Sequence, residues 1–136
     1  MGESKVHGRL VSILSDWVIM ELLAGQRNGL LIDDVDERPA GRPPQVPNHR
    51  PDIYSKSSKT FEVILGEAKT AEDLLTRHTE GQISEFLQHC SAHKSSLFVL
   101  AVPWYSTKLA TRMLRRIQKR NGTEAVTTKI LEKLPG

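Results

Sequence analysis

The sequence has one cysteine, no long uninterrupted apolar run, few aromatic residues and no strong excess of either charge. Each shortage removes a class of protein. With Cys90 alone no intrachain disulfide can form, so packing must hold the fold, and a lone thiol fits the reducing cytoplasm, the compartment we expect. The most apolar N-terminal stretch is interrupted by Lys5, His7, Arg9, Asp16 and Glu21, which argues against a membrane span and a secretory core. Gly2 lacks the Ser or Thr at position 6 that myristoylation favours, since Val6 stands there. Aromatics make up 5% of the chain, against 38% hydrophobic and 26% charged residues, and only the first of these values departs from an ordinary soluble globular protein. A chain of 136 residues suits a single domain, 1–136, with one core and one active site.

Lys and Arg number 19 against 16 Asp and Glu, a net charge of +3 that permits a polyanionic partner without requiring one. Placement says more. Lys108, Arg112, Arg115, Arg116, Lys119 and Arg120 crowd one segment, while Asp33, Asp34, Asp36 and Glu37 crowd another.

Apolar residues Val6, Leu10, Ile13, Leu14, Trp17, Met20 and Leu23 recur at helical spacing, with Ser4 as N-cap and Gly25 as stop, and predict a first helix. A short strand begins within 29–32. Residues 33–50 carry Pro39, Pro43, Pro44 and Pro47 and predict a long irregular loop. Its simplest reading is a solvated insertion; Arg38, Arg42, His49 and Arg50 would also let it lie against a phosphate backbone.

Strands at 53–55 and 61–68 would form a hairpin turning through Lys56, Ser57, Ser58 and Lys59. On the second, Phe61, Val63, Leu65, Glu67 and Lys69 would share one face, and Glu62, Ile64, Gly66 and Ala68 the other. A helix over 79–93 follows, then an apolar strand over 95–102, a helix capped by Ser106 and stopped by Asn121-Gly122, and a last strand over 124–131. This order predicts an α/β fold, a mixed central sheet flanked by helices.

The hairpin places Asp52 opposite Glu67, roughly 5 Å apart at Cβ, a separation one cation can bridge. Lys69 lies about 7 Å further along on the face of Glu67 and can point into the same site. Mg²⁺ keeps several waters and takes few carboxylates, so two acids at a sheet edge suit it. Phosphodiester hydrolysis needs an activated water and neutralised charge on phosphorus, which a metal and an ammonium group can supply. We therefore assign Asp52 and Glu67 as metal ligands and Lys69 as the residue that orients or activates water.

Pro51-Asp52, followed after a hairpin by Glu67-Ala68-Lys69, resembles the signature of the PD-(D/E)xK nuclease superfamily, which includes restriction endonucleases, Holliday junction resolvases and repair nucleases. The resemblance implies a restriction-endonuclease-like mixed sheet with flanking helices, dependence on Mg²⁺ (or Mn²⁺), and cleavage of DNA or occasionally RNA. It covers the span from the first helix to Val102. It also implies a supporting catalytic role for Gln82, early in the helix after the Glu-x-Lys strand. Resolvase-like members usually carry a Glu in the first helix; that position holds His7 here, with Glu3 one turn earlier and Glu21 much later, which leaves a third ligand open.

His89, Cys90 and His93 tempt one towards zinc, but no fourth ligand accompanies them, and His78 reads as a loop residue. Trp104-Tyr105 would either cap the core where the strand exits or stack on bases or a second subunit. Arg112, Arg115, Arg116 and Lys119 form either a solvated face or, with Arg42 and Arg50, a nucleic-acid-binding surface. The reading is an Mg²⁺-dependent endodeoxyribonuclease acting as a homodimer on two strands. Its alternatives are a non-catalytic nucleic-acid-binding or assembly module of the same fold and an RNA-directed nuclease.

Overall fold

The computed structural model describes residues 5–33 and 41–133, so Ser4, Glu3 and Arg38 lie outside the described residues. Helix α1 (Lys5–Leu22) buries Leu10, Leu14, Val18 and Ile19. It ends where anticipated: Ala24 and Gly25 turn left-handed, at φ 52° and 80°, and the Gly25 N–H donates to the Ile19 carbonyl at 2.9 Å, closing the last turn. Two residues of the expected apolar face are exposed instead, Val6 (41%) and Met20 (68%). Met20 follows Val18 by two positions, which turns it away from the buried stripe.

Five strands, β1 (Leu31–Ile32), β2 (Ile53–Ser55), β3 (Val63–Ala68), β4 (Ser96–Pro103) and β5 (Thr127–Lys133), lie side by side in chain order. The β1–β2 and β2–β3 pairs are antiparallel, and the β3–β4 and β4–β5 pairs are parallel. Parallel neighbours need a crossover, and helices α3 (Arg77–Ser91) and α4 (Thr107–Asn121) provide the two. Both pack on one face, where Phe86, Leu87, Met113 and Ile117 meet Val63, Leu65, Phe98 and Leu100. The other face belongs to α1, whose Leu10, Leu14 and Val18 meet Ile53, Ile64, Ala68 and Val99. The expected mixed sheet flanked by helices is present.

Residue Gly66 lets these layers close. A Cβ built there would stand 2.5 Å from Ile53 Cγ1 and 3.1 Å from Leu14 Cδ1, so any side chain would push against the neighbouring strand and α1 together. Phe61 departs from the expected alternation: β3 starts at Val63 after a bend at Glu62, so period two does not reach back to Phe61, which packs half-buried on the α1 side.

The helical boundaries shift for local reasons. Thr76 caps α3, its hydroxyl accepting from the Thr79 N–H at 3.1 Å, so His78 sits in the first helical turn rather than in a loop. A four-residue helix, α2 (Ala71–Leu74), precedes it and was not anticipated. Ser106 precedes α4 but makes no side-chain cap, because a 3₁₀ turn over Trp104–Ser106 leads into the helix and holds Ser106 at φ −102°, ψ 0° instead of extended. At the other end Gly122 adopts φ 69° as expected of a stop, and Gln118 Nε2 donates to the Thr123 and Val126 carbonyls, stapling the turn into β5.

The proline-rich segment is no free insertion over 41–50. Val46 is buried, Arg50 Nη1 donates to the Pro43 carbonyl at 2.6 Å, and the Asn48 backbone and side chain and His49 Nδ1 all reach the Glu85 carboxylate of α3. Burial would raise the Glu85 pKa, but these hydrogen bonds and the His49 charge outweigh it and hold the carboxyl below its usual range. The segment delivers Pro51 and Asp52 to the start of β2.

Candidate active site

The pairing of Ile53 with Gly66 sets Asp52 directly across from Glu67, as the hairpin predicts. Both are almost hidden from water, at 7% and 3% exposure, and Lys69 at 9%. Three backbone contacts fix them. Asp52 Oδ2 accepts from the Ala68 N–H at 2.8 Å, Glu67 Oε1 accepts from the Asp52 N–H at 3.1 Å, and the Lys69 N–H donates to the Ala101 carbonyl of β4 at 3.0 Å.

The Lys69 ammonium lies 3.4 Å from Glu67 Oε2 and donates to Gln82 Oε1 at 2.5 Å, so α3 holds the lysine head over the end of β3. Gln82, early in α3, is thus in direct contact with Lys69. Burial pushes the Glu67 carboxyl well above its usual pKa, the Asp52 charge pushes it further, and the Lys69 charge and the hydrogen bonds from Lys69 and the Asp52 N–H only partly offset this. A small, hard cation between the two acids would relieve the same repulsion. Among the described residues no three His, Cys, Asp or Glu side chains gather as a ready-made metal cluster, so such a cation would rest on these two carboxylates with water and phosphate oxygens completing its shell.

The sequence names His7 only as the departure from the usual first-helix acid; the structure brings it to the site. Its Nε2 stands 3.4 Å from Asp52 Oδ2, the contact through which α1 reaches the carboxylates. The signal was positional, since His7 stands in the first helix, where the sequence reading left a third ligand open. Glu21 is exposed near the opposite end of α1 and does not take part.

The proposed phosphate-contacting residues are less uniform. Arg42 is tied to Asp33, with Nη2 to Oδ1 at 2.7 Å, and Arg50 is spent on the Pro43 carbonyl. On α4, Arg116 and Arg120 pair with Glu80 of α3, while Arg112, Arg115 and Lys119 are exposed. Cys90 lies in the core, its thiol pushed up to about 12 by burial, and the half-buried His89 and His93 rings, on either side of it in the chain, meet at a tilt of 54° with centroids 5.0 Å apart. Trp104 and Tyr105 do not cap the core; they are 48% and 63% exposed.

The chain matches no protein-family model, and no curated protein or solved structure is significantly similar to it. Among the described residues no helix is long and apolar enough to cross a membrane.

Proposed function

We propose that this protein is a metal-dependent endonuclease with a restriction-endonuclease-like fold, hydrolysing phosphodiester bonds in DNA. The observation that carries the reading is a pair of facing carboxylates, nearly dry, with an ammonium group 3.4 Å from one of them. Buried like charges are costly to keep together, and a fold that holds two of them on rigid strands has a use for the charge they would bind. Asp52 and Glu67 would hold Mg²⁺ (or Mn²⁺), which when bound polarises the phosphate and lowers the pKa of water.

The remaining roles belong to the chain. Lys69, oriented by Gln82 and Glu67, positions the attacking water and balances the charge that grows on the phosphate oxygens. His7 steadies Asp52 through its Oδ2. Exposed Arg112, Arg115 and Lys119 offer charge to the phosphate backbone, with a salt-dependent contribution to affinity. A homodimer would present two such sites to two strands, which light scattering with DNA bound would detect.

The deciding experiment incubates the protein with branched, single-stranded and duplex DNA in Mg²⁺ or Mn²⁺, with an EDTA control. Cutting is expected to need the metal and to fall at least about a hundred-fold in both Glu67→Ala and Lys69→Ala. No cutting of any substrate, with DNA binding intact, would leave a binding or assembly module; cutting of matched RNA alone would make the enzyme an RNA nuclease.

A further inference from the structure

Beside the site the surface opens into a cleft of about 320 Å³ walled by Val6, Thr70, Ala71, Glu72, Asp73 and Tyr105. Val6 precedes His7, and Thr70 follows Lys69. Tyr105 comes from the turn after β4, the strand whose Ala101 carbonyl receives the Lys69 N–H. The cleft is therefore bounded by residues that adjoin His7 and Lys69 in the chain.

One wall is aromatic and unusually open. Tyr105 is 63% exposed, and Trp104 meets it edge to face, 5.7 Å between centroids and 87° between planes. That contact restrains the tyrosine ring while leaving it accessible, and Thr107 Oγ1 fixes the turn by donating to the Trp104 carbonyl at 3.0 Å. A restrained, exposed ring suits a flat partner, and stacking on it needs no particular base.

The rest of the wall selects the partner's chemistry. Asp73 is held by Thr70, whose hydroxyl donates to its Oδ2 at 3.3 Å, and Glu72 is exposed beside it. Two carboxylates repel a phosphate and accept hydrogen bonds from the amino edge of a base. In a duplex that edge is engaged in pairing and the base faces are covered by their neighbours, so only an unpaired nucleotide can offer both.

We infer that the cleft is a subsite for an unpaired DNA base, stacked on Tyr105 with its amino edge towards Glu72 and Asp73, so that the enzyme favours single-stranded DNA next to the bond it cuts. The inference rests on the nuclease reading for its substrate. Its test does not require cutting.

Binding of a fluorescently labelled single-stranded oligonucleotide and of the duplex of the same sequence is measured in EDTA for wild type, Tyr105→Ala and Tyr105→Phe. Tyr105→Ala is expected to weaken single-strand binding about ten-fold and duplex binding less than about two-fold, while Tyr105→Phe keeps the stacking face and stays near wild type. Equal losses on both substrates, no loss on either, or a loss in Tyr105→Phe as large as in Tyr105→Ala would overturn the subsite. A single-strand-specific loss in a protein that cuts nothing would keep the base subsite and remove the nuclease; metal-dependent cutting with binding indifferent to Tyr105 would do the reverse.

Discussion

Along β3, Val63, Ile64 and Leu65 are enclosed between the two helical layers, and four positions on, at the strand's end, Glu67, Ala68 and the Lys69 that follows it are nearly as hidden from water but carry two ionisable groups among them. The apolar stretch is buried for the free energy of leaving water, and its neighbours Phe86, Phe98 and Leu100 are interchangeable in chemistry if not in shape. The charged stretch is buried at a cost that Lys69, Gln82 and backbone N–H groups offset only in part, as the raised pKa of Glu67 shows. One strand thus stabilises the fold at its start and spends part of that stability at its end. Gly66 stands at the junction, where Ile53 and Leu14 leave no room for a side chain.

The comparison can be broken most forcefully at the apolar end. Phe98→Ala removes a fully buried ring and is expected to cost about 3–5 kcal/mol, read by urea unfolding. A loss below about 1 kcal/mol would mean that the apolar layer is not what holds the sheet together. At the junction, Gly66→Ala is expected to cost about 1–3 kcal/mol, because Ile53 is itself enclosed and has little room to give way. Neutral behaviour there would show that the layers are looser than their geometry.

The smallest effect sharpens the charged end. The folded protein holds a proton on Glu67 at pH values where the unfolded chain has released it, so in EDTA stability should fall as pH rises from the ordinary carboxylate range to the raised value of Glu67. Glu67→Gln removes this group's share of the fall. Thermal unfolding of both proteins across that range should therefore show their difference growing in favour of the variant; a constant difference would mean that burial imposes no such cost on Glu67.

How much of this was legible differs by element. Period-two alternation and the turn residues placed Asp52 opposite Glu67, and helical spacing placed Gln82 on the helix that follows, because these relations depend on local geometry. Phe61 was misplaced because a bend at Glu62 interrupts the alternation, and Ser106 because a 3₁₀ turn takes the place of a side-chain cap. The proline-rich stretch looked solvated because nothing in its composition announces that Glu85, more than thirty residues on, would anchor Asn48 and His49.

The sequence by itself determined the long helices and the strands, their order and the three residues on which the proposed chemistry turns, since each follows from periodicity, turn chemistry or a short motif, whereas the short α2 and the 3₁₀ turn before α4 did not. Tertiary structure alone decided that His7 reaches Asp52, that Gly66 must stay bare, that Arg42, Arg50 and Arg116 have protein partners, and that Tyr105 overlooks a cleft beside Lys69. Those relations join residues far apart in the chain. They arise only when α1 and the crossover helices pack on opposite faces of one sheet, and no local pattern encodes the distance between two elements until burial has brought them together.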